Sequence, residues 1–353
     1  MVHYAPIRFW KDDTAKARAI DKLLKLRSQL HSDVTKKRST GAFLLATWNL
    51  RDFDSNKFGH GKRLDESYYY MAEIISTFDL VALQEVNRDL RGLKKLMKLL
   101  GRNWDFIATD TTEGRGGNQE RMAFVFDTNK IRFANVAGEV VLPSADRQFA
   151  RTPFVAAFQA GWFKFNLCTV HIYFGADRGE KLERRVQEIS DVAEFFKKRQ
   201  EREKGDYILL GDFNIVDDKH PTMNALTRHG YTLPEELIGE ETNLKGDKQY
   251  DQIALRVKNK MLEVDNAGVF DFEQSVFTDS DDDFSSYRHA FPDKQVDGKT
   301  EDELRKYYLS KWRTFQISDH KPMWVELKVD FTRDYLNSLR PEKDPLADLD
   351  EPE

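Results

Sequence analysis

"YILLGDFNI", residues 207–215, decides the fold. Tyr207, Ile208, Leu209 and Leu210 form an apolar run without alternation, the pattern of a strand covered on both faces. The run ends in Gly211, then Asp212, Phe213 and Asn214. Side chains two apart on extended backbone point the same way, so this buried strand ends by aiming a carboxylate and a carboxamide at one spot.

Other segments repeat the design. "ATWNL" ends a strand on Asn49, "DLVALQEV" on Glu85 and "LCTVHIYFG" on His171. "YDQI" starts one at Asp251, and "QISDHKPMW" sets Asp319 and His320 just before another. Singly, an Asn or Asp at a strand end is a turn former. Together they place acids, amides and imidazoles beside apolar strands throughout the chain. Strands also lie in "MAFVFD", "VAAFQA" and "PMWVELKVD". Helical spacing joins Leu64, Tyr68, Met71, Ile75 and Phe78, covers 89–100, and recurs over 180–202. Strands in succession, interrupted by helices, predict an α/β fold of mixed sheets covered by helices.

Composition bounds the rest. The 353 residues suffice for an ample core. Cys168 is the sole cysteine, so no intrachain disulfide forms. A reducing, cytoplasmic setting is expected. No apolar run of about 18 residues and no signal-peptide layout is present, and no membrane association is expected. The net charge of −5 argues against a bulk electrostatic nucleic-acid binder, but not against an enzyme that touches a few phosphates.

Three peripheral segments are expected. Residues 1–40 read as a helical extension with Ile20, Leu23, Leu24, Leu26 and Leu30 on its apolar stripe. Residues 273–312 read as an insertion outside the main domain of 41–331, with "TDSDDDFSS" as a solvated loop; it lacks the glycine and terminal glutamate of a calcium loop. Residues 332–353 read as an acidic, disordered tail.

Chemically, Glu85, Asp212 and Asp319 are hard oxygen ligands, with amides from Asn49 and Asn214. Magnesium suits such a set, whereas zinc would want more His and Cys. His171 and His320 supply proton transfer. No P-loop and no nucleophile elbow is present. The residues point to metal-assisted attack of water on a phosphate ester.

From about Ala42 to Val329 the motifs "TWNLRDF", "DLVALQEV", "NQERMAFVFD", "FARTPF", "TVHIYF", "ILLGDFNI", "YDQI", "FDF" (270–272) and "ISDHKPMWVEL" resemble the endonuclease/exonuclease/phosphatase superfamily, above all its deoxyribonuclease I-like branch. The resemblance implies a four-layer α/β/β/α sandwich of two mixed β-sheets and a Mg²⁺- or Mn²⁺-dependent phosphodiesterase. It implies Glu85 as the main metal carboxylate with Asn49 beside it, and Asp212, Asn214 and Asp319 around the metal and phosphate. It pairs His320 with Asp251 as the water-activating base, and His171 with Glu120 as the phosphate or leaving-group partner. Arg151 corresponds to a phosphate-contacting arginine. Asn87 and Asn118 stand where deoxyribonuclease I-type enzymes place an arginine and a tyrosine in the DNA minor groove, with Arg88 adjacent to take part. A nuclease acting on DNA more than RNA is the leading expectation. A phosphatase or phosphodiesterase for a small-molecule or lipid phosphate ester is the alternative, and a non-catalytic binder that kept the fold is the third.

Overall fold

The computed structural model describes residues 2–112, 118–142 and 148–340. Eleven strands form two mixed sheets among these residues. The first sheet contains β1 (Ala42–Phe53), β2 (Leu80–Asn87), β3 (Trp104–Ala108) and β4 (Glu120–Asp127), then β10 (Glu263–Val269) and β11 (Met323–Lys328), in the order β10-β11-β1-β2-β4-β3. The second runs β5 (Ile131–Glu139), β6 (Phe154–Ala160), β7 (Phe163–His171), β8 (Tyr207–Asp212) and β9 (Asp251–Arg256) in chain order. Within each sheet one parallel pair, β1 with β2 and β7 with β8, breaks an otherwise antiparallel ladder.

Strand parity builds the layers. Ile208 and Leu210 face the other sheet, where they meet Phe43, Leu45, Phe124 and Val325. Tyr207 and Leu209 face outward onto helices α4 (Gly179–Glu203) and α5 (Pro221–Thr227). Leu44, Ala46 and Trp48 of β1 likewise pack outward, against α1 (Asp13–Asp33), α2 (Asp65–Thr77) and α3 (Arg91–Leu100). The unbroken apolar run in β8 is therefore a strand with helices on one face and a sheet on the other. The fold is the four-layer α/β/β/α sandwich.

Several expectations need correction. The buried stripe of α1 is Ala19, Leu23, Leu26 and Leu30, whereas Ile20 and Leu24 are exposed. Strands β3, β5 and β10 carry no marked apolar run; most of β5 is exposed. "TDSDDDFSS" is not a solvated loop. Ser280 caps α6 (Asp281–Tyr287) by accepting from the Asp283 amide, and three aspartates sit in the first turn, where the helix dipole favours anions. Behind them Phe284, Tyr287, Phe291, Tyr308 and Trp312 form one buried aromatic cluster continuous with the α1–α2 core. The short helices α7 (Asp293–Val296) and α8 (Glu301–Tyr307) complete the insertion, and α9 (Arg313–Gln316) follows it. In the tail, Thr332–Ser338 forms helix α10, and 341–353 lie outside the described residues.

Candidate active site

The same parity that builds the seam between the sheets carries polar groups to its mouth. On β1, Phe43 and Leu45 face the seam, so Thr47 and Asn49 do too. On β4 the series Phe126, Phe124, Met122 leads to Glu120. On β7 Leu167 leads through Thr169 to His171, on β8 Leu210 leads to Asp212, and on β9 Ile253 leads to Asp251. The register sets His171 opposite Asp212 and Asp212 opposite Asp251. One layer below, Gln84 donates to Thr169 Oγ1 at 2.8 Å and Thr47 Oγ1 at 3.0 Å, tying the two sheets with a buried polar floor.

Two backbone features tune the aim. Gly211 has φ +132°, and a Cβ there would lie 2.2 Å from the Val170 carbonyl oxygen, so only glycine lets β8 approach β7 before Asp212. Glu85 has φ +57° where β2 shifts register against β4 between Leu83 and Val86. Such a bulge re-aims the side chain, and Glu85 reaches Asn49 Nδ2 at 3.0 Å and the Asp52 amide at 2.7 Å.

Asp212 lies at the centre. Its Oδ2 accepts from Asn49 Nδ2 at 3.0 Å and lies 3.5 Å from His171 Nε2 and 3.8 Å from His320 Nε2. Its Oδ1 accepts from the Asn214 amide at 2.9 Å, and Asn214 Nδ2 donates to the Ile172 carbonyl at 2.8 Å. Each imidazole has a carboxylate behind it. Asp251 Oδ2 lies 2.7 Å from His320 Nδ1 in hydrogen-bonding geometry. Glu120 Oε1 lies 2.6 Å from His171 Nδ1, off the hydrogen-bonding angle, and shares that oxygen with Arg151.

Burial then separates the two histidines. His171 is pushed down to about 4, by burial first and by Arg151 second, and is neutral. Burial also lifts Glu120 to about 7, against the opposing pull of Arg151. Burial alone would lower His320 too, yet Asp251 and Asp212 outweigh it and hold the ring protonated well above its ordinary value. Burial raises Asp212, against both imidazoles.

Among the described residues the acids and imidazoles form two groups able to hold a metal ion: Glu85, Glu120 and His171, and Asp212, Asp251 and His320. Their oxygen-rich donor set fits a hard divalent cation. Asp251 Oδ1 is buried with no hydrogen-bond partner among the described residues, as a group with an unfilled task would be. Asp319 stands apart from both groups. Its carboxylate is 37% exposed and pairs with Arg51 at 2.9 Å.

Asn87, Arg88 and Asn118 line a groove of about 520 Å³ beside Glu85 and Glu120. Two residues without an expected role also border the site. Arg51 holds Asp319 and lies over the Phe315 ring at 4.2 Å. Tyr250 sets its ring 5.7 Å from that of His320. Both belong to the stretches "TWNLRDF" and "YDQI", two residues after Asn49 and one before Asp251, which was the available signal.

Residues 46–295 match the model of the Endonuclease/Exonuclease/phosphatase family. Deoxyribonuclease-1-like 1 of Sus scrofa is 25% identical over 271 residues, spanning 73% of this chain and 73% of that protein. The human Nocturnin catalytic domain, solved with a bound sulfate anion, superposes with a TM-score of 0.53 at 13% identity, covering 82% of this chain and 95% of that one. A mannosyl-6-phosphatase of Bacteroides thetaiotaomicron superposes with a TM-score of 0.52 at 19% identity, covering 81% of this chain and 99% of that one. At such identities the two structures speak to the fold alone. No helix among the described residues is long and apolar enough to cross a membrane.

Proposed function

The chain belongs to the Endonuclease/Exonuclease/phosphatase family, whose members hydrolyse phosphate esters, and from that premise we propose that it is a Mg²⁺- or Mn²⁺-dependent nuclease, cleaving phosphodiester bonds of DNA in preference to RNA. One observation carries the reading: two carboxylate-backed imidazoles turn their Nε2 atoms toward a single carboxylate, Asp212, at the mouth of the seam. A phosphoryl group bound there meets a proton acceptor and a hydrogen-bond donor. The deoxyribonuclease-like relative supports DNA as substrate.

Glu85, Asn49, Asp212 and Asn214 would hold the cation, which supplies Lewis-acid stabilisation of phosphoryl charge. Asp319, tied to Arg51, is left out of this set. His320 is the base. Asp251 fixes its Nδ1–H, leaving Nε2 to face the reacting water. Asp212 adds to Asp251 in keeping His320 protonated, so a lowered charge on Asp212 eases loss of that proton and leaves Nε2 to accept one from water. His171 takes the other role. With Glu120 lifted to about 7, a protonated Glu120 turned toward Nδ1 leaves Nε2–H directed at the phosphate. Arg151, beside Glu120, adds a fixed positive charge. Arg88, Asn87 and Asn118 extend the contact along their groove.

A second reading has its own support. Among the described residues the groove of Asn87 and Asn118 carries four acids against two cations, an unwelcoming surface for a polyanion, which favours a small-molecule phosphate ester. The test sets purified protein with Mg²⁺ or Mn²⁺ against supercoiled plasmid, linear duplex, single-stranded DNA, RNA and bis-p-nitrophenyl phosphate, with His320→Ala as control. Nicking or degradation that vanishes in the control is the expected result. Intact nucleic acids with turnover of the small diester would replace the nuclease reading with the small-molecule one.

A further inference from the structure

A second groove, of about 690 Å³, opens at His320 on the side away from Asn87 and Asn118. One wall is the end of the insertion and the residues just after it, from Asp302 to Thr314, and the other is the segment Asn243–Tyr250. Its charge is opposite to that of the first groove: seven lysines and arginines line it against three aspartates. In a chain of net charge −5 this is a local concentration of positive charge, and it adjoins the reacting centre.

The cations divide by task. The three arginines are engaged within the protein, with Asp319, Asp281 and Glu273, and brace the walls. Lys245, Lys248, Lys306 and Lys311 have no ion pair or side-chain hydrogen bond among the described residues, and three of the four are exposed. A scattered lysine is an ordinary solvated surface group. Here four unpaired lysines share one trench, two on the insertion and two on the facing segment. Tyr250 adds a half-buried aromatic ring where the trench meets His320. A cationic trench with an aromatic surface is the arrangement that follows a single nucleic-acid strand, whose phosphates take the charges and whose bases stack.

We propose that the groove between the insertion and Asn243–Tyr250 holds the single-stranded continuation of a nucleic-acid substrate beyond the scissile phosphate, with the four lysines on its phosphates and Tyr250 against a base. This rests on the nuclease reading and adds to it a direction. Beyond the scissile phosphate the strand runs over the insertion, while the groove of Asn87 and Asn118 takes the other side of that phosphate. It also gives residues 273–312 a task, as the wall that makes an open seam a trench.

The experiment compares wild type, K306E/K311E and K245E/K248E/K306E/K311E on a single-stranded DNA 12-mer, a duplex of the same sequence and bis-p-nitrophenyl phosphate. The expected result is a KM for the 12-mer raised at least about tenfold in the quadruple variant, with an intermediate rise in the double variant. Turnover of the small diester stays within about twofold. The dependence of 12-mer affinity on salt, measured by anisotropy in a His320→Ala background, flattens by about 0.7 in log–log slope for each phosphate that no longer meets a lysine. Unchanged 12-mer kinetics in the quadruple variant would overturn the proposal. So would equal losses on the 12-mer and the small diester, or on single strand and duplex. Wild-type protein that turns over the small diester and leaves every nucleic acid whole would defeat the nuclease reading itself, and this inference with it. That outcome is distinct from wild-type cleavage indifferent to the lysines.

Discussion

Asp251→Asn isolates the pair on which the proposed mechanism most depends. Asp251 is wholly buried, its amide is held by Thr242 Oγ1 at 3.0 Å, and Oδ2 lies 2.7 Å from His320 Nδ1. Asparagine keeps the shape and removes the charge. If its carbonyl faces Nδ1–H, the tautomer survives and the ring loses one of the two acids that raise it. If its amide faces Nδ1, the proton moves to Nε2 and the lone pair that must take a proton from water is gone. General-base catalysis contributes roughly 10²–10⁴-fold, or about 3–5 kcal/mol at about 1.4 kcal/mol per tenfold. The first orientation leads to the lower end of that loss and the second to the upper. The assay is kcat/KM against pH on the substrate identified in the substrate comparison above, with thermal melting alongside. Wild-type activity should rise with pH as His320 loses its proton. In Asp251→Asn that limb should move to lower pH, because the acid that raised it is neutral, while the melting temperature stays within a few degrees. Activity within about threefold of wild type, or a loss with the limb unmoved, would refute the assignment of His320 as a base oriented by Asp251.

Chelation should abolish turnover and Mg²⁺ or Mn²⁺ restore it, and the same ions should raise the melting temperature of wild type but not of Glu85→Gln/Asp212→Asn; activity indifferent to a chelator would remove the metal from the mechanism. Gly211→Ala should keep the fold yet cut activity at least about tenfold, since its Cβ must displace the Val170 carbonyl, and the strand carrying His171, from Asp212; normal kinetics would show that this spacing is not critical. Trp312→Ala, at the centre of the aromatic cluster, should cost about 3–5 kcal/mol in denaturant unfolding, and a loss under 1 kcal/mol would show that the insertion is not part of the cooperative core. His171 is neutral when folded because its pKa falls to about 4, so stability it contributes is present above its ordinary value near 6.5 and is lost as pH falls through that window toward 4. His171→Gln should therefore flatten stability between pH 6.5 and 4 by an amount of order 3 kcal/mol, and an unchanged slope would mean that the folded ring titrates normally.

The sandwich was legible because strands and seam obey one rule. A residue's parity along an apolar strand fixes its face, so the sheet-facing series ending in Asn49, Glu120, His171, Asp212 and Asp251 could be found from the order of residues alone. What failed was local reading of segments whose structure depends on distant partners. "TDSDDD" resembles a solvated loop because its acids are polar, yet they are the first turn of α6, and Asp283 pairs with Lys22 from α1. The aromatics that bury the insertion, Phe284, Tyr287, Phe291, Tyr308 and Trp312, follow no single period because they come from several short elements. Asp319, placed among the metal carboxylates by "SDH", pairs in this structure with Arg51, a partner remote in sequence.

Glu85 shows where the parity rule itself gives way. On β2, Leu80 and Ala82 face the seam, so the rule sends Gln84 inward and Glu85 to the opposite face. Gln84 obeys and becomes the polar floor. Glu85 reaches the site only because its backbone turns to φ +57° at the register shift, a conformation that costs a non-glycine residue of order 1–3 kcal/mol. Asn214 at φ +53° makes the same turn after β8, and Arg51 and Asp52, at φ +43° and +45°, do so in β1 after Asn49. The strained positions thus gather at the ends of the strands that carry the candidate ligands. Periodicity delivers His171 and the backing acids Glu120 and Asp251 at no conformational cost. The carboxylate assigned to the metal, with the turns beside it, is held in place by surrounding contacts: the Asp52 amide on Glu85, Asp212 on the Asn214 amide, and Arg63 on the carbonyls of Leu50, Arg51 and Asp52. By this reasoning Arg63→Met would raise the Mg²⁺ concentration needed to restore activity after chelation while leaving the pH limb of His320 unmoved.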